Sequence, residues 1–101
     1  MPKIKSEYDD LDKYQNDFEI RYCKKDTNIA HNLYGPAIIH KSGYTVYYIN
    51  NKLHRLDGPA IIYSNGEKFY YINNKELNKE EFEVHPERLK YLGKEYLICL
   101  T

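Results

Sequence analysis

Apolar residues in the middle of the chain come in short runs bounded by turn-forming residues. FEIRYC (18–23) alternates apolar and polar positions, as a half-buried strand does. PAIIY (59–63) runs into Ser64-Asn65-Gly66 and out into EKFYYI (67–72). Asn-Gly between two apolar runs is a strong hairpin signal, because both residues tolerate positive φ. Earlier, Lys41-Ser42-Gly43 puts glycine at the equivalent place, ahead of YTVYYI (44–49). Asn-Asn pairs follow each long apolar run, at 50–51 and 73–74, and again suit the left-handed region. The chain then returns through KLHRL or KEL. Asp57-Gly58-Pro59 closes that return: glycine gives the bend, and proline, which cannot donate to a ladder, belongs at a strand start.

These words repeat. GPAII occurs at 35–39 and 58–62, and YYINNK at 47–52 and 70–75, both at an offset of 23 residues. His31 and His54, Leu33 and Leu56, and Gly43 and Gly66 share the offset. FEIRYC leads to HNLYGPA as YYI leads to HRLDGPA, with a return loop two residues longer, so a degenerate unit precedes two complete ones. The expected fold is mainly β, an antiparallel meander of 23-residue hairpin repeats with a short helical C-terminal cap.

The faces of those strands carry the main functional expectation. Tyr44, Val46 and Tyr48 point one way and Thr45, Tyr47 and Ile49 the other. Glu67, Phe69 and Tyr71 oppose Lys68, Tyr70 and Ile72 in the same manner. Both faces are rich in apolar side chains, whereas a sheet with one wet face alternates cleanly. Something must cover the second face. Part of the cover is expected at the C-terminal end. Asn78 is placed to cap a helix with Glu81 at its third position, His85-Pro86 breaks that helix, and Pro86 opens a second one ended by Gly93. KEYLICLT (94–101) reads as a final strand. One domain is expected, comprising an acidic N-terminal segment (1–17), a repeat sheet (18–77) and a helical cap with a last strand (78–101). Residues 1–17 read equally as a short helix or a loose acidic arm.

Charge excludes little. Lys plus Arg equals Asp plus Glu at 15 each, so no global field draws the chain to nucleic acid or anionic membrane. Residues 18–74 hold seven basic and four acidic groups, a local excess of three. Cys23 and Cys99 lie in apolar runs and read as reduced, buried thiols. With no long apolar stretch and no basic-then-apolar leader, a cytoplasmic protein is the expectation. Tyrosine, at 12 of 101 residues, suits both strands and surfaces that meet a partner.

YYINNKLHRLDGPAIIYSNGEKF resembles a MORN-type repeat, and HRLDGPAIIYSNG followed by YYINNK is similar to the MORN-like repeats of bacteriophages and large DNA viruses. LNKEEFEVHPERLKYL resembles the helical close that follows such repeats, so the likeness spans residues 31–92. Asn51 and Asn74 stand where glycine is usual, and Asp57-Gly58-Pro59-Ala60 replaces a Gly-x-Gly corner. The resemblance implies a curved single-layer sheet used for attachment, with no reaction and no cofactor. For a viral protein it implies a role against a host enzyme or defence component.

Candidate chemistry is sparse. His31 and His54, with Gly35, Gly58, Pro36 and Pro59, recur as structural parts. Each imidazole is expected to bond a corner carbonyl or Asp57, and no Cys or carboxylate recurs with it at metal-ligand spacing. Ser6, Ser42 and Ser64 lie in tail or turn contexts, and Glu80, Glu81, Glu83 and Glu87 form a solvated helix face, so no enzyme is expected. The expected site is an exposed row of Tyr47, Ile49, Tyr70 and Ile72, with Tyr44 nearby and Arg55 and Lys68 at the rim, gripping a protein partner. The alternative is a single-stranded nucleic-acid or nucleotide binder, in which Tyr44, Tyr47 and Tyr70 stack bases beside Arg21, Lys24, Lys25, Lys41, Lys52, Arg55 and Lys68. Self-association through the sheet edge or the tyrosine face is a third outcome.

Overall fold

A computed structural model describes residues 1–93. Its strands are β1 (Lys3–Ile4), β2 (Leu11–Gln15), β3 (Glu19–Lys24), β4 (Ile38–His40), β5 (Thr45–Val46), β6 (Tyr48–Ile49), β7 (Lys52–Leu53), β8 (Ile61–Ile62), β9 (Lys68–Ile72) and β10 (Lys75–Leu77). Two helices follow, α1 (Lys79–Glu83) and α2 (Pro86–Tyr91). Eight strands form one sheet in the order β1-β2-β3-β4-β5-β8-β9-β10, and β6 pairs only with β7. Each of these pairings is antiparallel. The chain is therefore mainly β with a short C-terminal helical cap. The final strand expected over 94–101, and Cys99 with it, lie outside the described residues.

The turns show why these residues form hairpins. Asn50, Asn51, Asn73 and Asn74 all have positive φ, between 50° and 69°. Two successive left-handed residues are what a type I′ turn requires, and its twist matches that of the strands it joins. Asparagine visits the left-handed region more readily than other residues with a Cβ, and the second asparagine of each pair also ties its turn to a distant strand or bridge. Asn51 Oδ1 accepts from the Ala30 N–H at 2.6 Å, and Asn74 Oδ1 from the Leu53 N–H at 2.9 Å. The Ser64-Asn65-Gly66 turn differs from the Asn-Gly expectation. Only Gly66 is left-handed, at φ 91°, while Asn65 Oδ1 accepts the Glu67 N–H at 2.9 Å.

Several further hydrogen bonds come in pairs whose members lie 23 residues apart. The Ala37 N–H donates to Val46 and the Ala60 N–H to Phe69, each at 2.9 Å. Ala37 and Ala60 are wholly buried, so each sits where no larger side chain fits without displacing its surroundings. One interval is broken. YTVYYI, expected as a single strand, divides at Tyr47, whose N–H donates to Ala60 while its carbonyl accepts from His54. The chain changes partners there, β5 pairing with β8 and β6 with β7. The later strand β9 pairs with both β8 and β10 without a break.

The N-terminal segment is neither a helix nor a loose arm: β1 and β2 extend the sheet beside β3. Leu11 and Asp12 are buried. Asp12 is held by the Asp26 N–H at 2.8 Å and by Lys3 at 3.1 Å, and the backbone donor chiefly lowers its pKa. Tyr22 lies beneath Tyr8 and donates its hydroxyl to Glu7.

At the other end the helices cover the face that carries Tyr70 and Ile72. Asn78 and Glu81 form a reciprocal capping box, and His85 Nδ1 caps α2 by accepting the Glu87 N–H. Phe82 packs with Ile72 and Leu77, all three buried, and Leu56 and Tyr70 lie against them.

Candidate functional site

Between two successive corners of the chain lies an open groove of about 360 Å³. Residues 32–35 form one wall and residues 55–57 the other; Tyr47, Ile49 and His54 line it between them, with Tyr91 of α2.

Both walls are braced internally. Asn32 Nδ2 donates to the Pro36 carbonyl at 3.1 Å, and Asn32 Oδ1 accepts the Tyr34 N–H at 2.8 Å. In the second corner one guanidinium does both jobs. Arg55 Nη1 donates to the Pro59 carbonyl at 3.1 Å and Nε to Asp57 at 2.8 Å. That guanidinium lies over the Tyr47 ring, 4.0 Å from its centroid. Gly58 is needed for this arrangement: a Cβ there would come within 2.9 Å of Arg55 Cζ. Tyr34 is 57% exposed but fixed, stacked on Tyr8 with centroids 4.6 Å apart and donating to Asp10 at 3.0 Å.

His31 and His54 serve the turns and not the corners. His31 Nδ1 accepts the Asn50 N–H and His54 Nδ1 accepts the Asn73 N–H, both at 3.0 Å. The expected bonds to a corner carbonyl or Asp57 do not form, because Arg55 engages Asp57 and the left-handed turns aim a backbone donor at each ring. Burial, as the largest cause, lowers both pKa values. Among the described residues, no three His, Cys, Asp or Glu side chains gather where they could hold a metal.

Of the residues expected to grip a partner, Tyr47, Ile49 and Arg55 meet in this groove. Ile72, expected in the exposed row, is only 3% exposed, because Phe82 covers it, and Tyr70 lies under the same ring at 4.6 Å. Tyr44 stacks on Tyr63 instead, centroids 5.1 Å apart, and Lys68 is exposed at the start of β9 away from the groove lining. Gly35, Pro36, Gly58 and Pro59 occupy the corners. Sequence reasoning missed Leu33, Tyr34 and Tyr91, which are 64%, 57% and 58% exposed. Tyr34 carried a signal, as an aromatic residue where the second corner has Asp57.

Cys23 is buried, and burial raises its pKa, so its thiol is a poor nucleophile. No helix among the described residues is long and apolar enough to cross a membrane. No family model, no curated protein and no solved structure matches the chain. The likeness to MORN-like repeats rests on the sequence words alone.

Proposed function

We propose that this chain is a non-catalytic binding module of the MORN-like kind, built from 23-residue hairpin units, that grips a protein through the groove between its two corners. One observation carries the reading. Leu33, Tyr34 and Tyr91 project large apolar surface into solvent beside two corners braced by their own hydrogen bonds. Exposed aromatic groups on a rigid frame suit partner binding, because little entropy is lost when they engage. In a phage or large-virus setting the partner is a host enzyme or defence protein in the host cytoplasm, which the module blocks.

A single-stranded nucleic acid fits the groove less well. Arg55, the cation among the lining residues, already donates to Asp57 and to the Pro59 carbonyl. The test compares wild type with the double variant Leu33→Ser, Tyr91→Ser in capture from the cognate lysate, with bound nucleic acid assayed in parallel. Both side chains are exposed, so the variant is expected to fold as wild type by circular dichroism and to lose the captured protein. Undiminished capture by a folded variant excludes this groove.

A further inference from the structure

The groove has a filled counterpart in the same molecule. The cluster beneath the helical cap contains Leu56, Tyr70, Ile72 and Leu77, closed by Phe82. Subtracting 23 from the first four numbers gives Leu33, Tyr47, Ile49 and His54, and all four line the open groove. The later seat lies under a short helical pair of this chain, whereas in the earlier one Leu33 stands 64% exposed.

The filled seat shows what chemistry closes it. Phe82 lies on Tyr70, ring centroids 4.6 Å apart. Arg88 Nη1 donates to the Leu56 carbonyl at 2.6 Å, and Asn73 Nδ2 donates to the Glu87 carboxylate at 3.0 Å. The matching groups 23 residues earlier are the carbonyl of Leu33, in the groove wall, and Asn50, exposed next to the lining residue Ile49. One difference narrows the fit. Arg55 lies on Tyr47 and takes part of the aromatic place, leaving Leu33, Ile49 and Tyr91 as the apolar surface still to be filled.

From this correspondence, and resting on the binding reading above, we infer that the groove seats a short helical pair of a protein partner, two brief helices broken between them as α1 and α2 are. The first helix presents an aromatic side chain, and the second, after the break, presents Glu and Arg five and six residues later, as Phe82 of α1 and Glu87 and Arg88 of α2 do in the cap. The aromatic ring fills the space against Leu33 and Ile49, the Arg donates to the Leu33 carbonyl, and the Glu accepts from Asn50. The occupant is a different protein, since both helices among the described residues are engaged at Leu56 and Ile72.

The probe is a synthetic peptide, acetyl-NKEEFEVHPERLKYLG-amide, which copies residues 78–93. It is titrated into the isotope-labelled full chain and followed through backbone amide shifts. Saturable shifts are expected at Leu33, Ile49 and Asn50. Binding is expected to weaken at least about tenfold when the peptide's Phe is replaced by Ala, and equally in the protein variant Leu33→Asp. The inference is overturned if the peptide moves no amide at its solubility limit, or if shifts are confined to residues 70–77, where it would only displace the native cap. It is also overturned if uridine monophosphate moves the groove amides more strongly than the peptide does. A concentration-dependent dimer that Leu33→Asp dissolves would make a second copy the occupant and overturn the choice of a different protein. Where lysate capture depends on Leu33 and Tyr91 but the peptide does not seat, this inference falls and the binding reading stands. Where capture survives both substitutions, the binding reading itself falls.

Discussion

All four histidines accept a backbone N–H at Nδ1, His31 from Asn50, His40 from Ser42, His54 from Asn73 and His85 from Glu87. A ring nitrogen that accepts carries no proton, so protonation breaks the bond. For His31 and His54 burial, the leading cause, sets the folded pKa below that of an ordinary imidazole. Lys24 adds to the effect at His31; at His54 burial outweighs the opposing pull of Glu87. The unfolded chain then binds more protons in mildly acid solution, and stability rises with pH. The contribution of the two rings is complete above the unfolded value and is lost as pH falls through the depressed folded values. Urea midpoints at about pH 7.5 and about pH 5.5 check this: the midpoint is expected to drop, and to drop less in His31→Asn, His54→Asn. Gly58→Ala tests a second residue-scale claim. A Cβ meets Arg55 Cζ, whereas at Gly35 it meets nothing within 4 Å. The 58 variant is expected to move the guanidinium off Tyr47, read as a shift of the Arg55 Nε resonance. It should lose no more than about 1 kcal/mol, because the displaced group is a flexible, partly solvated end. Gly35→Ala should leave that resonance unmoved.

At the scale of single elements the sequence is most informative where one residue type has one conformational use. Asn-Asn between strands predicts left-handed turns, and both turns form; Asn78, Glu81 and Pro86 predict the two helix starts at the positions observed. Such signals are local, so tertiary contacts have little chance to override them. Asn51→Ala is expected to cost about 1–3 kcal/mol, through left-handed strain and the lost bond to Ala30. Asn51→Gly keeps the backbone conformation at no steric cost and should lose only about 1 kcal/mol. Urea denaturation of the pair separates strain from hydrogen bonding. The strand LDKYQ was illegible for the opposite reason. Asp9, Asp10 and Asp12 give its stretch the look of an acidic arm, and its burial depends on the remote Asp26 N–H and on Lys3. The break at Tyr47 was equally hidden, because a change of sheet partner leaves no mark on an apolar run.

At the scale of the molecule, two faces of apolar side chains have to be distributed between the chain and what lies outside it. The excess of apolar positions was readable from alternation in YTVYYI and EKFYYI; which part the helices cover was not, because Phe82 meets Ile72 and Tyr70 only after the cap folds back. The covered and open seats can be weighed against each other by truncating one side chain in each. Phe82 is 3% exposed and closes its cluster, so Phe82→Ala leaves a cavity and is expected to cost about 3–5 kcal/mol. That is a large share of the roughly 5–15 kcal/mol that holds a domain together. Leu33→Ala removes a side chain standing mostly in solvent and should change stability by less than about 0.5 kcal/mol. Urea midpoints of the two variants, measured side by side, check the contrast. A similar cost at both positions would mean that Leu33 is covered within the free protein, leaving no open seat for a partner to fill. The expected asymmetry means that the same fold keeps one apolar seat for its own stability and leaves the other available at almost no stability cost.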